Sequence, residues 1–240
     1  MTKRLYQTDS YLKDFEATVV AVDAENRGVI LDRSAFYPGG GGQPADEGVL
    51  AVGSLIYPVM GFKSAGDSLL HLVGGDGPLP EVGQMVTGSL NWERRYQLMR
   101  THTAMHILCG VIWRDYGASV TGGNMDPLAG RMDFEFETMR QELVHEIEEK
   151  INAEVANARE VRVRILPREE AFRIPDLIRT KINLLPEGIT QVRVVEIVGL
   201  DLQADGGTHV RNTAEVGHLR VVDYKSKGKI NKRIYLEVEP

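Results

Sequence analysis

The chain has a single cysteine, Cys109, in 240 residues. That excludes an internal disulfide and fits a reducing compartment, so a cytoplasmic location and no disulfide partner are expected. No apolar run approaches the roughly 20 residues needed to span a bilayer, so no membrane partner is expected. The N-terminal stretch carries early positive charge, but no apolar h-region follows it, which excludes a signal peptide. An overall excess of positive charge is also missing. Lys and Arg number 28 against 34 Asp and Glu, a net charge of -6. Phosphate contacts need cations, so any nucleic-acid surface has to be local. The basic stretch KSKGKINKRIY (225–235) is the place for one, although a solvated tail or edge strand is the plainer explanation of such a run. Internal repeats and low-complexity tracts are absent too.

What the chain does have is a change of pattern near residue 90. Before it, residues 15–23 are rich in β-branched side chains, 28–32 are short and apolar, and 48–59 alternate loosely. Turn signals such as AENRG and GGDGPLP separate these runs. Many short strands with Gly and Pro turns predict a small β-barrel or sandwich over residues 1–90. Asn91 is placed as an N-cap, and residues 92–116 contain neither Gly nor Pro apart from Gly110, with Leu98, Met99, Met105, His106, Ile112 and Trp113 at helical spacing. A second helix is expected from Thr138, where Thr138 and Gln141 form a T-x-x-Q capping box, with Leu143, Ile147, Ile151 and Val155 as its apolar stripe. Strands are expected at 161–166, 191–198, 218–224 and 229–238. The fold class is therefore α+β: an N-terminal barrel followed, over residues 91–240, by a two-helix, mostly antiparallel-sheet domain.

His102 and His106 stand one helical turn apart on one face, the spacing by which a helix offers two nitrogens to one ion. The residue after His102 is threonine, so the glutamate base of the HExxH metalloproteases is missing. Asp205-Gly-Gly-Thr-His209 lies between two strands, and its carboxylate and imidazole complete a four-ligand set of acceptable zinc chemistry. A turn in which Asp205 caps its own backbone is the competing explanation of the same five residues.

The ordered segments FYPGGGGQPADEG, RTHTAMHIL, DLQADGGTHVRNTAEVG and KGKINKRIYLEV together resemble the editing domain of alanyl-tRNA synthetase and the freestanding alanyl-tRNA editing proteins of the AlaX group. The resemblance covers nearly the whole chain. It implies one divalent metal, zinc, held by His102, His106 and His209, with Asp205 standing where the family usually has cysteine. A carboxylate is harder than a thiolate and tolerates other divalent ions. Cys109, three residues after His106, is one rival for that fourth place, and water or no fourth protein ligand is the other.

The implied activity is trans-editing: hydrolysis of the ester joining serine or glycine to the acceptor end of tRNA(Ala). No dedicated general base stands out. The resemblance places Gly39, Gly40, Gly41, Gly42 and Gln43 in the substrate pocket, where backbone N–H groups face an oxyanion or the terminal adenosine. Thr103 and Thr208 are candidate contacts for a serine hydroxyl, and capping or local packing explains either equally well. Asn124, in VTGGN, stands near the place of a glutamine found in synthetase-type domains. Arg94, Arg95, Arg100, Lys225, Lys227, Lys229, Lys232 and Arg233 are the candidate RNA contacts. Two other readings stay open on sequence alone: a hydrolase of another small ester, and a non-catalytic tRNA-binding relative with a degenerate metal site.

Overall fold

Alternation along 14–23 buries Phe15, Ala17 and Val19 on one face of a ten-residue strand, and this strand opens a closed barrel. The computed structural model describes residues 1–180 and 188–239. In chain order the first strands are β1 (Lys3–Arg4), β2 (Asp14–Asp23), β3 (Gly28–Leu31), β4 (Arg33–Ser34), β5 (Gly48–Val52), β6 (Leu55–Ala65), β7 (Ser68–Val73) and β8 (Met85–Leu90). The barrel closes in the order β2-β3-β7-β6-β5-β8, every ladder antiparallel, while β1 and β4 form a separate parallel pair. Closure removes the exposed edges that an open sheet would present. Its core is a cluster that includes Val19, Val29, Leu31, Phe36, Leu50 and Val86. The expected strand over 48–59 is two strands, β5 and β6, because Gly53 adopts φ 57 and turns the chain between them.

The long helix α1 (Trp92–Tyr116) starts where Asn91 was placed as its cap: the Asn91 side chain accepts from the Arg94 N–H at 3.3 Å. Residues 101–112 are buried on every side, so this segment has no polar face and its helical spacing marks only part of what is covered. Gly110 sits here because a Cβ would crowd the Leu200 and Asp201 side chains and the Leu200 carbonyl at 2.9–3.1 Å. Close approach of the Leu200–Asp201 segment therefore offsets the roughly 1 kcal/mol that glycine costs in a helix.

Beyond α1 come β9 (Val120–Asp126), β10 (Ala129–Glu135), α2 (Gln141–Ala156), β11 (Val161–Pro167), α3 (Arg168–Ala171), β12 (Gln191–Ile197), β13 (Asp201–Ala204), β14 (Leu219–Ser226) and β15 (Asn231–Val238). They form a four-stranded antiparallel sheet, β14-β15-β10-β9, and a three-stranded antiparallel sheet, β11-β12-β13. The second long helix differs from expectation in two ways. It begins at Gln141 with Arg140 at the N-cap and no side chain capping it, so the Thr138–Gln141 box does not form. Its buried face is Val144, Ile147, Ile151 and Glu154, one position away from the expected Leu143 and Val155 at both ends. Glu154 explains part of the shift: Arg114 and Arg159 each form an ion pair with it, so a charged residue joins the covered face.

The chain divides into two compact units, residues 1–40 with 44–96, and residues 41–43 with 97–240. The division falls inside α1, a few residues after the composition change at 90, and Gly41–Gln43 belong with the second unit. No helix among the described residues is long and apolar enough to cross a membrane.

Candidate metal centre

Within the second unit, one turn of α1 presents His102 and His106, and the loop after β13 presents Asp205 and His209. One ligand atom from each of the four lies within 4.8 Å of all the others. The ring centroids of His102 and His209 are 4.2 Å apart, those of His106 and His209 4.7 Å, and those of His102 and His106 5.1 Å. Asp205 Oδ2 is 2.9 Å from His209 Nε2, and Asp205 Oδ1 is 3.4 Å from His102 Nε2. The competing explanation of Asp205 also holds: the same Oδ2 accepts from the Gly207 N–H at 2.8 Å. The Asp turn and the convergence are one structure, because the turn aims the carboxylate at the rings.

Each ring is anchored by its far nitrogen. His102 Nδ1 lies 3.0 Å from Gln43 Oε1, and that same oxygen accepts the Thr208 N–H at 3.0 Å. An atom that accepts from a backbone N–H is the amide oxygen, so Nδ1 of His102 carries the proton and Nε2 keeps its lone pair. His106 Nδ1 donates to Asp201 Oδ2 at 3.0 Å, which leaves its Nε2 bare in the same way. His209 Nδ1 is 3.2 Å from the Thr103 hydroxyl, which can donate or accept and so serves either tautomer of that ring.

Two features of the chain make this arrangement possible. Gly39, Gly40, Gly41 and Gly42 all have positive φ (89°, 136°, 58° and 89°), a run of left-handed backbone that only glycine tolerates, and it delivers Gln43 to His102 and Thr208. Gly207 packs so closely on His102 that a Cβ there would overlap the imidazole and Gln43 Oε1.

Burial holds His102 well below the ordinary imidazole range and pushes His209 down to about 4. For His106 burial acts in the same direction, but the hydrogen bond and charge of Asp201 outweigh it and its pKa is raised. Burial would raise Asp205; the charge of His102 and the hydrogen bond from His209 outweigh it and hold the carboxylate well below its usual range. His102 and His209 are thus held neutral beside an ionised carboxylate, the metal-binding forms, whereas His106 binds an ion only on giving up the proton that Asp201 favours. A bound cation would replace the proton that His209 Nε2 shares with Asp205 and would meet ligand atoms that already lie within 4.8 Å of one another. Three nitrogens and one oxygen suit a borderline divalent ion. The residues therefore fit a metal. Cys109 is not part of the convergent group among the described residues; its thiol is buried, receives a hydrogen bond from Gln203, and is pushed up by burial.

His102, His106 and Asp205 form part of the wall of a cavity of about 590 Å³, lined also by Gly41, Gly42, Met105, Met125, Ile178 and Arg179.

Relatives place this geometry in a lineage. Residues 192–235 match the family described as the threonyl and alanyl tRNA synthetase second additional domain, and residues 6–94 match class II (A) tRNA synthetases. The chain is 41% identical to alanyl-tRNA editing protein AlaX-M of Saccharolobus solfataricus over 100% of both chains. It is 38% identical to the protein of the same name from Methanosarcina mazei, over 99% of this chain and 97% of that one. The chain belongs to the alanyl-tRNA editing protein family. It is also 39% identical to the alanine–tRNA ligase of Ignicoccus hospitalis, where 92% of this chain matches 24% of the ligase.

The other residues singled out in this editing-family sequence fall into two groups. Gly41 and Gly42 line the cavity, whereas Gly39, Gly40 and the exposed Asn124 are not among its lining residues. Gln43, Thr103 and Thr208 are 2%, 0% and 0% exposed, and their side-chain polar atoms meet the histidines or one another. They sit behind the rings, and local packing is the role of the two threonine side chains. Among the basic residues, Arg95 is fully buried and paired with Asp46, with further donation to Ser10 and Ala35 carbonyls, and so is withdrawn as a phosphate contact. Lys232 is withdrawn likewise, because its buried Nζ donates to the Gly228 and Lys229 carbonyls and ties the β14–β15 turn. Arg100 donates to the Val216 and Glu239 carbonyls, Arg233 grips Asp133 at 2.6 and 2.8 Å, and Arg94 pairs with Glu47 at 3.2 Å. Lys225, Lys227 and Lys229 are exposed, Lys225 beside Asp223 at 2.8 Å. Asp201 and Gln203 had no role in the sequence reading. A carboxylate at the mouth of a short strand looks like turn chemistry, and the one available signal was the four-residue spacing Asp201, Asp205, His209.

Proposed function

We propose that this chain is a cytoplasmic trans-editing hydrolase that removes serine or glycine from mischarged tRNA(Ala), acting at the acceptor end with one zinc ion held by His102, His106, Asp205 and His209. The observation that carries this reading is the convergence of three imidazoles and a carboxylate, two of the imidazoles and the carboxylate on the wall of a cavity, in a chain matched end to end by alanyl-tRNA editing proteins. Residues 1–90 act as a barrel domain bearing the Gly-rich motif, and residues 91–240 as the metal-binding editing domain with its two long helices on antiparallel sheet.

The reaction adds water across the ester: the acyl carbon gains the water oxygen, the bond to the ribose oxygen breaks, and the amino acid carboxylate and a free terminal hydroxyl leave. When bound, the ion supplies Lewis acidity and a fixed point of positive charge. Gln43, Asp201 and Thr103 hold the three rings so that no reorganisation is needed on binding. Met105, Met125 and Ile178 give the cavity apolar walls that keep bulk water from the acyl group. A volume of about 590 Å³ suits an aminoacyl end rather than a tRNA body. The exposed Lys225, Lys227 and Lys229 then meet backbone phosphates.

The test is deacylation of seryl-, glycyl- and alanyl-tRNA(Ala) by the full chain. Loss of the serine or glycine ester with alanyl-tRNA(Ala) spared is the expected outcome. Binding of tRNA without any deacylation, or activity on small esters alone, overturns the proposal.

A further inference from the structure

The three histidines differ in what holds them. His102 is anchored by a neutral amide and His209 by a hydroxyl, but His106 is anchored by the Asp201 carboxylate, whose side chain has no exposure at all. A fully buried carboxylate is costly unless its charge is matched. Asp201 Oδ2 receives His106 Nδ1 at 3.0 Å and Gln203 Nε2 at 2.7 Å, while Oδ1 faces Arg179 Nε at 3.6 Å. Arg179 in turn lies over the Trp113 ring at 4.7 Å and lines the cavity. The approach itself depends on Gly110, one turn along α1 from His106, because a side chain there would meet Asp201 Cβ at 3.0 Å. A helix glycine, a buried carboxylate and an arginine thus converge on the back of one ligand.

We infer that Asp201 is a positioning residue that acts through His106: it fixes Nε2 as the metal-facing nitrogen, adds electron density to that ring, and so sets the affinity of the centre for its ion. A carboxylate behind a ligating imidazole raises the basicity of the ring and locks its tautomer, and losing such a partner weakens metal binding by roughly 10- to 100-fold. This inference rests on the metal reading above.

The test uses the full chain, with circular dichroism showing that each variant is folded before titration. Zinc dissociation constants are measured by competition with a chromophoric chelator for wild type, Asp201→Asn and Gly110→Ala, and the visible spectrum of the cobalt-loaded proteins reports coordination. Asp201→Asn keeps a hydrogen-bond acceptor but loses the charge, and is expected to bind zinc roughly 10- to 100-fold more weakly. Gly110→Ala keeps the carboxylate but pushes it back, and is expected to weaken binding in the same direction with an altered cobalt spectrum. In both variants the lost deacylation returns at saturating zinc, a rescue that damage to the fold does not allow. Wild-type affinity and spectrum in both variants overturn the inference while leaving the metal reading intact. Failure of the wild-type chain itself to take up zinc overturns both.

Discussion

The molecule contains two kinds of buried histidine, one in each unit. In the barrel, His71 is fully covered and both ring nitrogens are occupied: Nε2 is 2.8 Å from the Ser34 hydroxyl and Nδ1 is 3.3 Å from the Val29 carbonyl. In the second unit, His102 and His106 spend their Nδ1 atoms on local partners, and each still brings a ring nitrogen within 4.8 Å of a ligand atom of Asp205 and of His209. The buried Asp46 and the half-buried Asp205 divide in the same way. Asp46 is consumed by Arg95 and the Tyr37 N–H, whereas Asp205 faces three rings. Burial alone therefore does not distinguish function from structure. What distinguishes them is convergence: the barrel gives His71 and Asp46 separate partners, and the second unit gathers three imidazoles and a carboxylate at one point.

That comparison can be broken at several places. The largest effect is expected from His106→Ala, which removes a ligand: deacylation should fall by roughly 1,000-fold and metal content should drop while the barrel stays folded. Retained activity in a metal-depleted His106→Ala protein would falsify the metal reading. Asp46→Ala should do the reverse, destabilising the fold by about 3–5 kcal/mol because Arg95 is left as an uncompensated buried charge, with metal affinity of the folded fraction unchanged; chemical denaturation and elemental analysis separate the two outcomes. His71 tests the barrel side of the comparison by pH. Burial lowers its pKa from 6.5 to about 4, so between those values the unfolded chain binds a proton that the folded barrel refuses. Stability is then lost as pH falls from 6.5 toward 4, by about 3 kcal/mol at the acid end, and His71→Gln should flatten that limb of the denaturation curve. Gly207→Ala sharpens the convergent side: the added methyl displaces the His102 ring, so zinc affinity should weaken at least tenfold with a smaller change in overall stability. The smallest effect is expected at the surface. Neutralising Lys227 or Lys229 should lower kcat/KM a few-fold at low salt and reduce its salt dependence, and a salt-insensitive reaction would remove these residues from the RNA interface.

The helical spacing of His102 and His106 was legible because a helix repeats every 3.6 residues, so two side chains four apart share a face whatever surrounds them. The barrel was legible in outline because strand alternation and glycine turns are local signals, yet β7 and β8 were not predicted and 48–59 read as one strand. The shifted face of α2 was not legible either, since Glu154 reads as a solvent residue until Arg114 and Arg159 are brought to it. Basic residues were over-counted for the same reason. Arg95 and Lys232 have the composition of an RNA contact, and only the fold reveals that internal acceptors consume them.

By itself, then, the amino-acid sequence determined the chemistry on offer: three imidazoles and a carboxylate at spacings that a helix and a turn can present, in an order of motifs that names a family. Tertiary structure decided how that chemistry is held. Gln43, Thr103 and Thr208 became supports behind the rings rather than contacts in front of them, and Asp201 arrived behind His106 through the gap at Gly110. The physical reason is that a ligand's identity is a property of one residue, while the direction of its lone pair is a property of the neighbour that holds the opposite nitrogen. Those neighbours lie 59, 95 and 106 residues away along the chain, beyond the reach of any local pattern.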